Sequence, residues 1–326
     1  MISPSHFMLD NENLAREIED AAVAMARGAG KILSSSFGRQ LAIEYKDKEQ
    51  RDPVTSADKA TQEYLTDEIK RRFPEHGVLG EETSGESESD DPAPDFLWVL
   101  DPLDGTTNFL NGLPVYASSI GVLYRGWPLA GALYIPWPRP GGGFVLHSRR
   151  GGGCFADHEP VSVYESEKPV GNRLIGLPGS FPQTTRFSRE LKGNLGESRT
   201  TGSIAYELAL TACGVLQYAI IGAPRMWDML AGAIAVQAAK VAVMTRLAGE
   251  KKWHSMESLV PNWEEKPPSL KELRRWVAPL VAGNQQVAPL IAHNLRPRFR
   301  ISNKLRRFSR RLRTYTGRRG TKEEGR

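Results

Sequence analysis

Residues Phe96-Leu-Trp-Val-Leu100 form an unbroken apolar run that ends directly on the acidic turn Asp101-Pro-Leu-Asp-Gly-Thr-Thr-Asn108. A continuous run of this length between polar stretches predicts a strand buried on both faces, so the chain must stack in layers around it. Its exit is equally constrained, because carboxylates beside an apolar run are costly to desolvate unless something positive meets them. At 326 residues, 40% hydrophobic and 25% charged, the chain can bury a core of its own. Two cysteines, Cys154 and Cys213, cannot make a disulfide framework, and a reducing compartment is expected. No stretch of about 18 uncharged apolar residues is present, and the first 30 residues lack a basic start followed by an apolar run. The expected location is the cytoplasm.

Either side of that strand the periodicity changes. Leu14, Ile18, Ala22, Met25, Ala29 and Ile32/Leu33 recur at steps of three or four, which predicts a helix over 11–37. The polar segment Lys46–Asp52 reads as a surface loop, and a second helix starts near Thr55–Ala57 and stops at Pro74. Gly77–Gly80 reads as a short strand leading into Glu81-Glu82-Thr83. From Tyr116 to Phe155 apolar runs alternate with Gly/Pro turns, the pattern of an antiparallel meander, with Gly141–Gly143 and Gly151–Gly153 as turns. Strand and helix then alternate: strands at 173–177, 218–221 and 279–284, helices at 203–216, 229–244 and 286–292. The reading is α/β, with an α+β half over 10–160, an α/β half over 161–295 and a tail over 296–326.

Four carboxylates stand out by position. Glu81 follows a strand and a glycine, Asp101 and Asp104 flank the turn after the buried strand, and Asp228 sits beside Trp227 at the start of an Ala-rich helix. A hard divalent cation is the counter-charge that suits them, since Mg²⁺ takes carboxylates, a backbone carbonyl and waters. The Asp-x-x-Asp spacing lets both side chains converge while the Leu103 carbonyl turns to the same ion. Gly105 and Thr106 offer backbone N–H groups at a helix start, a place suited to a phosphate. Metal carboxylates beside an anion cradle point to phosphoryl chemistry. The six histidines show no ligand spacing, and the scattered tryptophans lack the aromatic and basic interleaving of a nucleic-acid platform.

Taken together, Gly80-Glu-Glu-Thr83, Asp101–Phe109 and Trp227-Asp228 resemble the inositol monophosphatase family of the Mg-dependent, Li-sensitive phosphatase superfamily. Asp52-Pro-Val-Thr-Ser-Ala-Asp58, Gly202-Ser203-Ile-Ala and Val281-Ala-Gly-Asn284 extend the resemblance over residues 10–295. It implies a layered αβαβα sandwich of the inositol monophosphatase/fructose-1,6-bisphosphatase type, a homodimer, and hydrolysis of small phosphate monoesters by metal-activated water. Glu81, Asp101 and the Leu103 carbonyl would hold one Mg²⁺, and Asp101, Asp104 and Asp228 a second. Glu81 would reach a third through water. Thr106, paired with Asp58 and assisted by Glu81, would position the attacking water, and the substrate would lie against Asp104, Gly105, Thr106, Gly202 and Ser203.

The departures bear on substrate. Where inositol-specific members carry a sugar-contacting Glu, this chain has Ile221, which accepts no hydrogen bond. A 3′-phosphoadenosine 5′-phosphate, a histidinol phosphate or a sugar phosphate therefore stays open beside inositol phosphate. Arg225, three residues before Asp228, is placed to meet a second anionic group or to pair at the surface. The family's Glu-Ala-Gly-Gly turn is replaced by Gln237-Ala-Ala-Lys240, and residues 246–276 do not match its usual close. The tail is a separate object: 13 Lys and Arg against Glu323 and Glu324 give it a net +11, leaving residues 1–295 at −6 within a total of +5. Phe299, Leu305, Phe308 and Leu312 fall near helical steps among its arginines, so a contact to RNA, an acidic protein or an anionic membrane stands open for it, equally with a solubilising role.

Overall fold

The structure, a computed structural model, describes residues 12–45, 53–82, 90–138, 140–191, 193–247 and 249–298. The loop expected at 46–51, most of the acidic stretch after Glu82, and the tail beyond Arg298 lie outside the described residues. Helix α1 (Glu12–Ser36) buries Ile18, Ala22, Met25, Ala29 and Leu33, the stripe its spacing predicts. A short antiparallel pair, β1 (Ile43–Tyr45) and β2 (Pro53–Thr55), leads into α2 (Ser56–Arg72). Helix α2 opens with a capping box, in which Thr55 accepts from the N–H groups of Ala57 and Asp58 while Asp58 accepts from the N–H of Thr55.

Strand β3 (Gly77–Gly80) lies parallel to β4 (Phe96–Asp104), the apolar run and its acidic exit. A five-residue helix α3 (Thr106–Leu110) follows, then the meander β5 (Ala117–Tyr124), β6 (Trp127–Pro136), β7 (Gly143–Arg149), β8 (Gly153–Ala156) and β9 (Glu159–Pro160). These strands make one seven-stranded sheet in the order β3-β4-β5-β6-β7-β8-β9. Gly141, Gly142, Gly151 and Gly153 take positive φ in its turns, as expected of turn glycines.

The remaining elements are β10 (Leu174–Gly176), α4 (Phe181–Thr184), β11 (Thr185–Phe187), β12 (Glu197–Arg199), α5 (Ile204–Ala212), β13 (Leu216–Ile221) and α6 (Met226–Ala238). After them come β14 (Ala242–Thr245), β15 (His254–Ser255), α7 (Leu270–Arg274), β16 (Leu280–Gly283), α8 (Val287–His293) and β17 (Leu295–Pro297). A six-stranded sheet runs β12-β10-β13-β16-β14-β15, and β11 pairs with β17.

The layers follow from the period-two alternation of β4. Trp98 and Leu100 face α1 and α2 in one core, with Met25, Leu65 and Ile120. Leu97 and Val99 face the other way, into a core shared with α5, α6 and the inner face of the second sheet at Ile221, Val243 and Ala282. Ile220, Met244 and Val281 on that sheet's outer face pack under α8 at Val287, Ala288 and Ile291. The result is an αβαβα sandwich, as expected. Helix α6 seats closely on the first sheet because Gly121 and Gly131 face each other across β5 and β6. A Cβ on Gly121 would stand 2.6 Å from Leu230, and one on Gly131 would stand 2.9 Å from the Ala231 backbone.

The helix expected over 203–216 ends at Ala212, with Leu216 already in β13, and a second helix departs further. The apolar stretch 229–244 is not a single helix: α6 ends at Ala238 and the chain turns into β14. Lys240 sits at φ +63, the Lys240 N–H donates to the Gln237 carbonyl and the Val241 N–H to the Val236 carbonyl, both at 3.1 Å. This is a Schellman stop with lysine in the left-handed position that glycine usually fills. Among the described residues no helix is long and apolar enough to cross a membrane.

Candidate active site

Five carboxylates meet where the ends of α2, β3, β4 and α6 come together. Asp101, on β4, is only 1% exposed, and its Oδ1 accepts from the Leu103 N–H at 3.0 Å. Burial pushes its carboxyl well above the ordinary range, and the charges of Glu81, Asp104, Asp228 and Asp58 push it further. Asp104 is raised by burial and by Asp228, although hydrogen bonds from Ser203 and Ala205 oppose the rise. Asp58 is raised by burial too, with Glu81 adding to it and the bonds from Thr55 working against it. The four charges that raise Asp101 are thus all carboxylates.

Each carboxylate is aimed by its local structure. Asp58 is held by the α2 capping box, with Oδ2 accepting from the Thr55 N–H at 2.8 Å and Oδ1 from Thr106 Oγ1 at 3.3 Å. Asp104 Oδ2 accepts from Ser203 Oγ at 2.8 Å and from the Ala205 N–H at 2.5 Å, so it ties the exit of β4 to the start of α5. Asp228 Oδ2 accepts from the Arg225 N–H at 2.7 Å, again a capping contact. The Glu81 N–H donates to the Leu100 carbonyl at 3.0 Å, which keeps Glu81 beside β4.

The predicted site residues therefore come together, with qualifications for a few. The Leu103 carbonyl accepts from Thr106 Oγ1 at 3.0 Å, so one of its lone pairs serves the protein itself. That hydroxyl has one proton and two acceptors, Leu103 and Asp58. Gly105 takes φ +92, and a Cβ there would stand 3.0 Å from both the Ser203 Cβ and the Val115 carbonyl. Gly202 takes φ +78 and lies beside Asn108 rather than against the carboxylates. Arg225 is exposed and contributes its backbone N–H.

The donor chemistry fits a hard divalent cation: every side-chain donor in the cluster is a carboxylate oxygen. As the side chains stand, no three His, Cys, Asp or Glu groups among the described residues close around one point tightly enough to hold a metal ion. Asp104 and Asp228 stand instead in the rotamers of helix caps.

Two contributors escaped sequence reasoning. Asn108 Nδ2 donates to the carbonyls of Val115 and Thr201, both at 2.7 Å, and so bridges α3 to the Gly202 loop. Arg274 donates to the carbonyls of Gly80 at 2.8 Å and Glu81 at 2.7 Å, and its guanidinium lies 5.4 Å over the Trp227 ring. It braces both the Glu81 corner and the Trp227-Asp228 corner. Asn108 had a local signal as the last residue of the acidic turn, whereas Arg274 had none, because its partners are backbone carbonyls nearly 200 positions away.

This arrangement of layers and acids defines a family. The chain matches the inositol monophosphatase family over residues 14–279 and belongs to it. It is 31% identical over 231 residues to inositol monophosphatase 1 of Solanum lycopersicum, covering 68% of this chain and 82% of that protein. Over 105 residues it is 43% identical to the Nus factor SuhB of Escherichia coli (strain K12), 32% of this chain and 38% of that protein. Among solved structures, a Thermotoga maritima IMPase matches with a TM-score of 0.64 at 23% identity, covering 84% of this chain and 94% of that one, a likeness of fold.

Proposed function

We propose that the protein hydrolyses small phosphate monoesters with Mg²⁺. The observation that supports this most is the mutual loading of Asp101 by Glu81, Asp104, Asp228 and Asp58 at a buried strand end. Glu81, Asp101 and the Leu103 carbonyl would hold one Mg²⁺, Asp101, Asp104 and Asp228 a second, and Glu81 a third through water. Bound there, Mg²⁺ supplies Lewis acidity that makes water nucleophilic near neutral pH and offsets charge on the leaving oxygen.

The chain's own residues do the positioning. Thr106 Oγ1 directs its single proton to Asp58 or Leu103, which leaves its lone pairs to orient a water proton. The N–H groups of Gly105 and Thr106, at the first turn of α3, have no partner within that helix and would bind the phosphate. Ser203, held on Asp104, closes the substrate side. No serine or cysteine nucleophile is required, and attack by water releases phosphate and alcohol directly. Asp101→Asn should lower kcat about a thousandfold (~4 kcal/mol) while the circular dichroism spectrum stays native. Activity within tenfold of the wild type would end the assignment.

A second reading attaches to the basic segment 296–326, favoured by its net +11. In that reading the tail contacts RNA independently of hydrolysis, and salt-sensitive RNA binding should vanish on its deletion.

A further inference from the structure

A pocket of about 330 Å³ opens at the end of α6 that points away from the acid corner. Asp228 stands in the first turn of this helix and Gln237 in its last, roughly 14 Å further along at 1.5 Å per residue. Pro128, Ile234, Val241 and Met256 give the pocket apolar walls, and Arg150 and Glu257 supply its two charges.

Arg150 is half-buried, and its guanidinium lies 4.9 Å over the Trp127 ring. Burial pulls that guanidinium below its ordinary value. Among the described residues, Glu257 is the one charge acting against this, and no hydrogen bond does. The neighbouring Arg149 is different, because it is spent on Glu19 and Glu12. Arg150 therefore keeps a fork of N–H groups for a ligand with two coplanar oxygens. The sequence supplies the reason. The family's Glu-Ala-Gly-Gly turn would bring a carboxylate to this pocket, where Gln237 brings a neutral amide whose Nε2 donates to the Met256 carbonyl. The replacement removes an acid that could have met Arg150 from within the chain.

Each feature narrows the ligand. A carboxylate matches the guanidinium fork. Glu257, exposed at the rim, repels a plain anion but attracts an ammonium carried beside the carboxylate. The apolar walls favour a branched aliphatic chain, and the volume is at the small end for ligand sites. Inorganic phosphate would use Arg150 alone. We propose that this pocket binds an aliphatic α-amino acid, with its carboxylate on Arg150, its ammonium toward Glu257 and its side chain against Ile234, Val241 and Met256. The ligand would tie the last turn of α6 to the strand ends around it, at a place separate from the acid corner.

Calorimetric titration of the full chain with L-leucine, 4-methylpentanoate, 3-methylbutylamine and glycine tests this. L-Leucine should bind with a Kd at or below about 1 mM. It should bind about fivefold more tightly than 4-methylpentanoate, which lacks the ammonium. The margin should be about tenfold over 3-methylbutylamine, which lacks the carboxylate, and over glycine, which lacks the side chain. Arg150→Gln should abolish leucine binding, with Arg150→Lys recovering part of it, because an ammonium cannot fork onto both oxygens. Gln237→Glu should weaken leucine about tenfold, since the new carboxylate competes for Arg150. Glu257→Gln should cost leucine about fivefold and leave 4-methylpentanoate no weaker. Circular dichroism checks the fold of each variant, and if Arg150→Gln does not fold, the exposed Glu257 and the four probes decide. Equal affinity for leucine and 4-methylpentanoate, or leucine binding unmoved by Glu257→Gln, overturns the amino-acid assignment. Heat from none of the four probes, or leucine binding unmoved by Arg150→Gln, overturns the site.

Discussion

Two acids are buried on the seven-stranded sheet, and the protein treats them in opposite ways. Glu19, on α1 and 4% exposed, receives His147 Nδ1 at 2.7 Å and Arg149 Nη1 at 2.9 Å from β7. Burial would raise its carboxyl, but the bonds from His147 and Arg149 carry it below the ordinary value. Asp101, on β4 and 1% exposed, has only acids among the charges that act on it, and its carboxyl is driven up. Equal burial therefore separates two purposes. Where an acid serves the fold, the cations come from the chain. On the function proposed above, Asp101 takes its counter-charge from a bound cation instead.

The contrast can be broken at four places. The largest effect falls on Asp101: with its thousandfold loss of turnover, Asp101→Asn should raise the stability of the chelator-treated protein by about 1–2 kcal/mol in urea denaturation. A loss of stability would mean that Asp101 is a structural acid like Glu19. Glu19→Gln should do the reverse, costing about 3 kcal/mol by leaving His147 and Arg149 short of a partner, with kcat barely moved.

The pH signature of the Glu19 pair follows from its shifts. Glu19 is lowered from 4.5, so its contribution is present above that value and fades as pH falls through the folded-state value. His147 is raised from 6.5, because the bonds to Glu19 and Asp157 outweigh burial. Its contribution is complete below 6.5 and fades as pH rises through the raised value. Urea midpoints of wild type minus Glu19→Gln should therefore peak between those limits, and a flat difference would remove the ion pair from the account.

Arg274 sharpens the other side of the comparison, as a cation bonded to the main chain of the acid corner. Arg274→Ala should weaken Mg²⁺ binding about tenfold in calorimetry, with Arg274→Lys recovering only part because Lys cannot fork onto two carbonyls. Unchanged affinity would make it a surface brace. The smallest expected effect is away from both corners: Lys240→Gly should stabilise by about 1 kcal/mol, since glycine takes φ +63 without the steric cost of a Cβ.

What could be read in advance was local. The strand at 96–100 and the acids after it were legible because apolar run and carboxylates are consecutive, although β4 runs on to Asp104, and the helix stripe of Ile18, Ala22 and Met25 repeats within one element. Periodicity ran past the stop of α6 because Val241-Ala-Val-Met244 continues the apolar composition and lysine, not glycine, marks the turn that the family resemblance aligns with Gln237–Lys240. Glu19 gave no sign of its partners, which lie 128 and 130 residues away. Arg274 addresses main-chain carbonyls, which every residue carries, so no pairing of residue types betrays it.

The facing glycines at 121 and 131 set the spacing between α6 and the sheet, and Asp228 rides on α6 two residues before the Leu230 side chain that fills the gap. Any side chain at either glycine acts as a shim, lifting the acid on the helix away from those on the strand. The calibration of this acid corner is thus written partly in two residues with no functional group at all. A damaged copy of the protein can keep every carboxylate in place and still have lost its alignment to a single methyl.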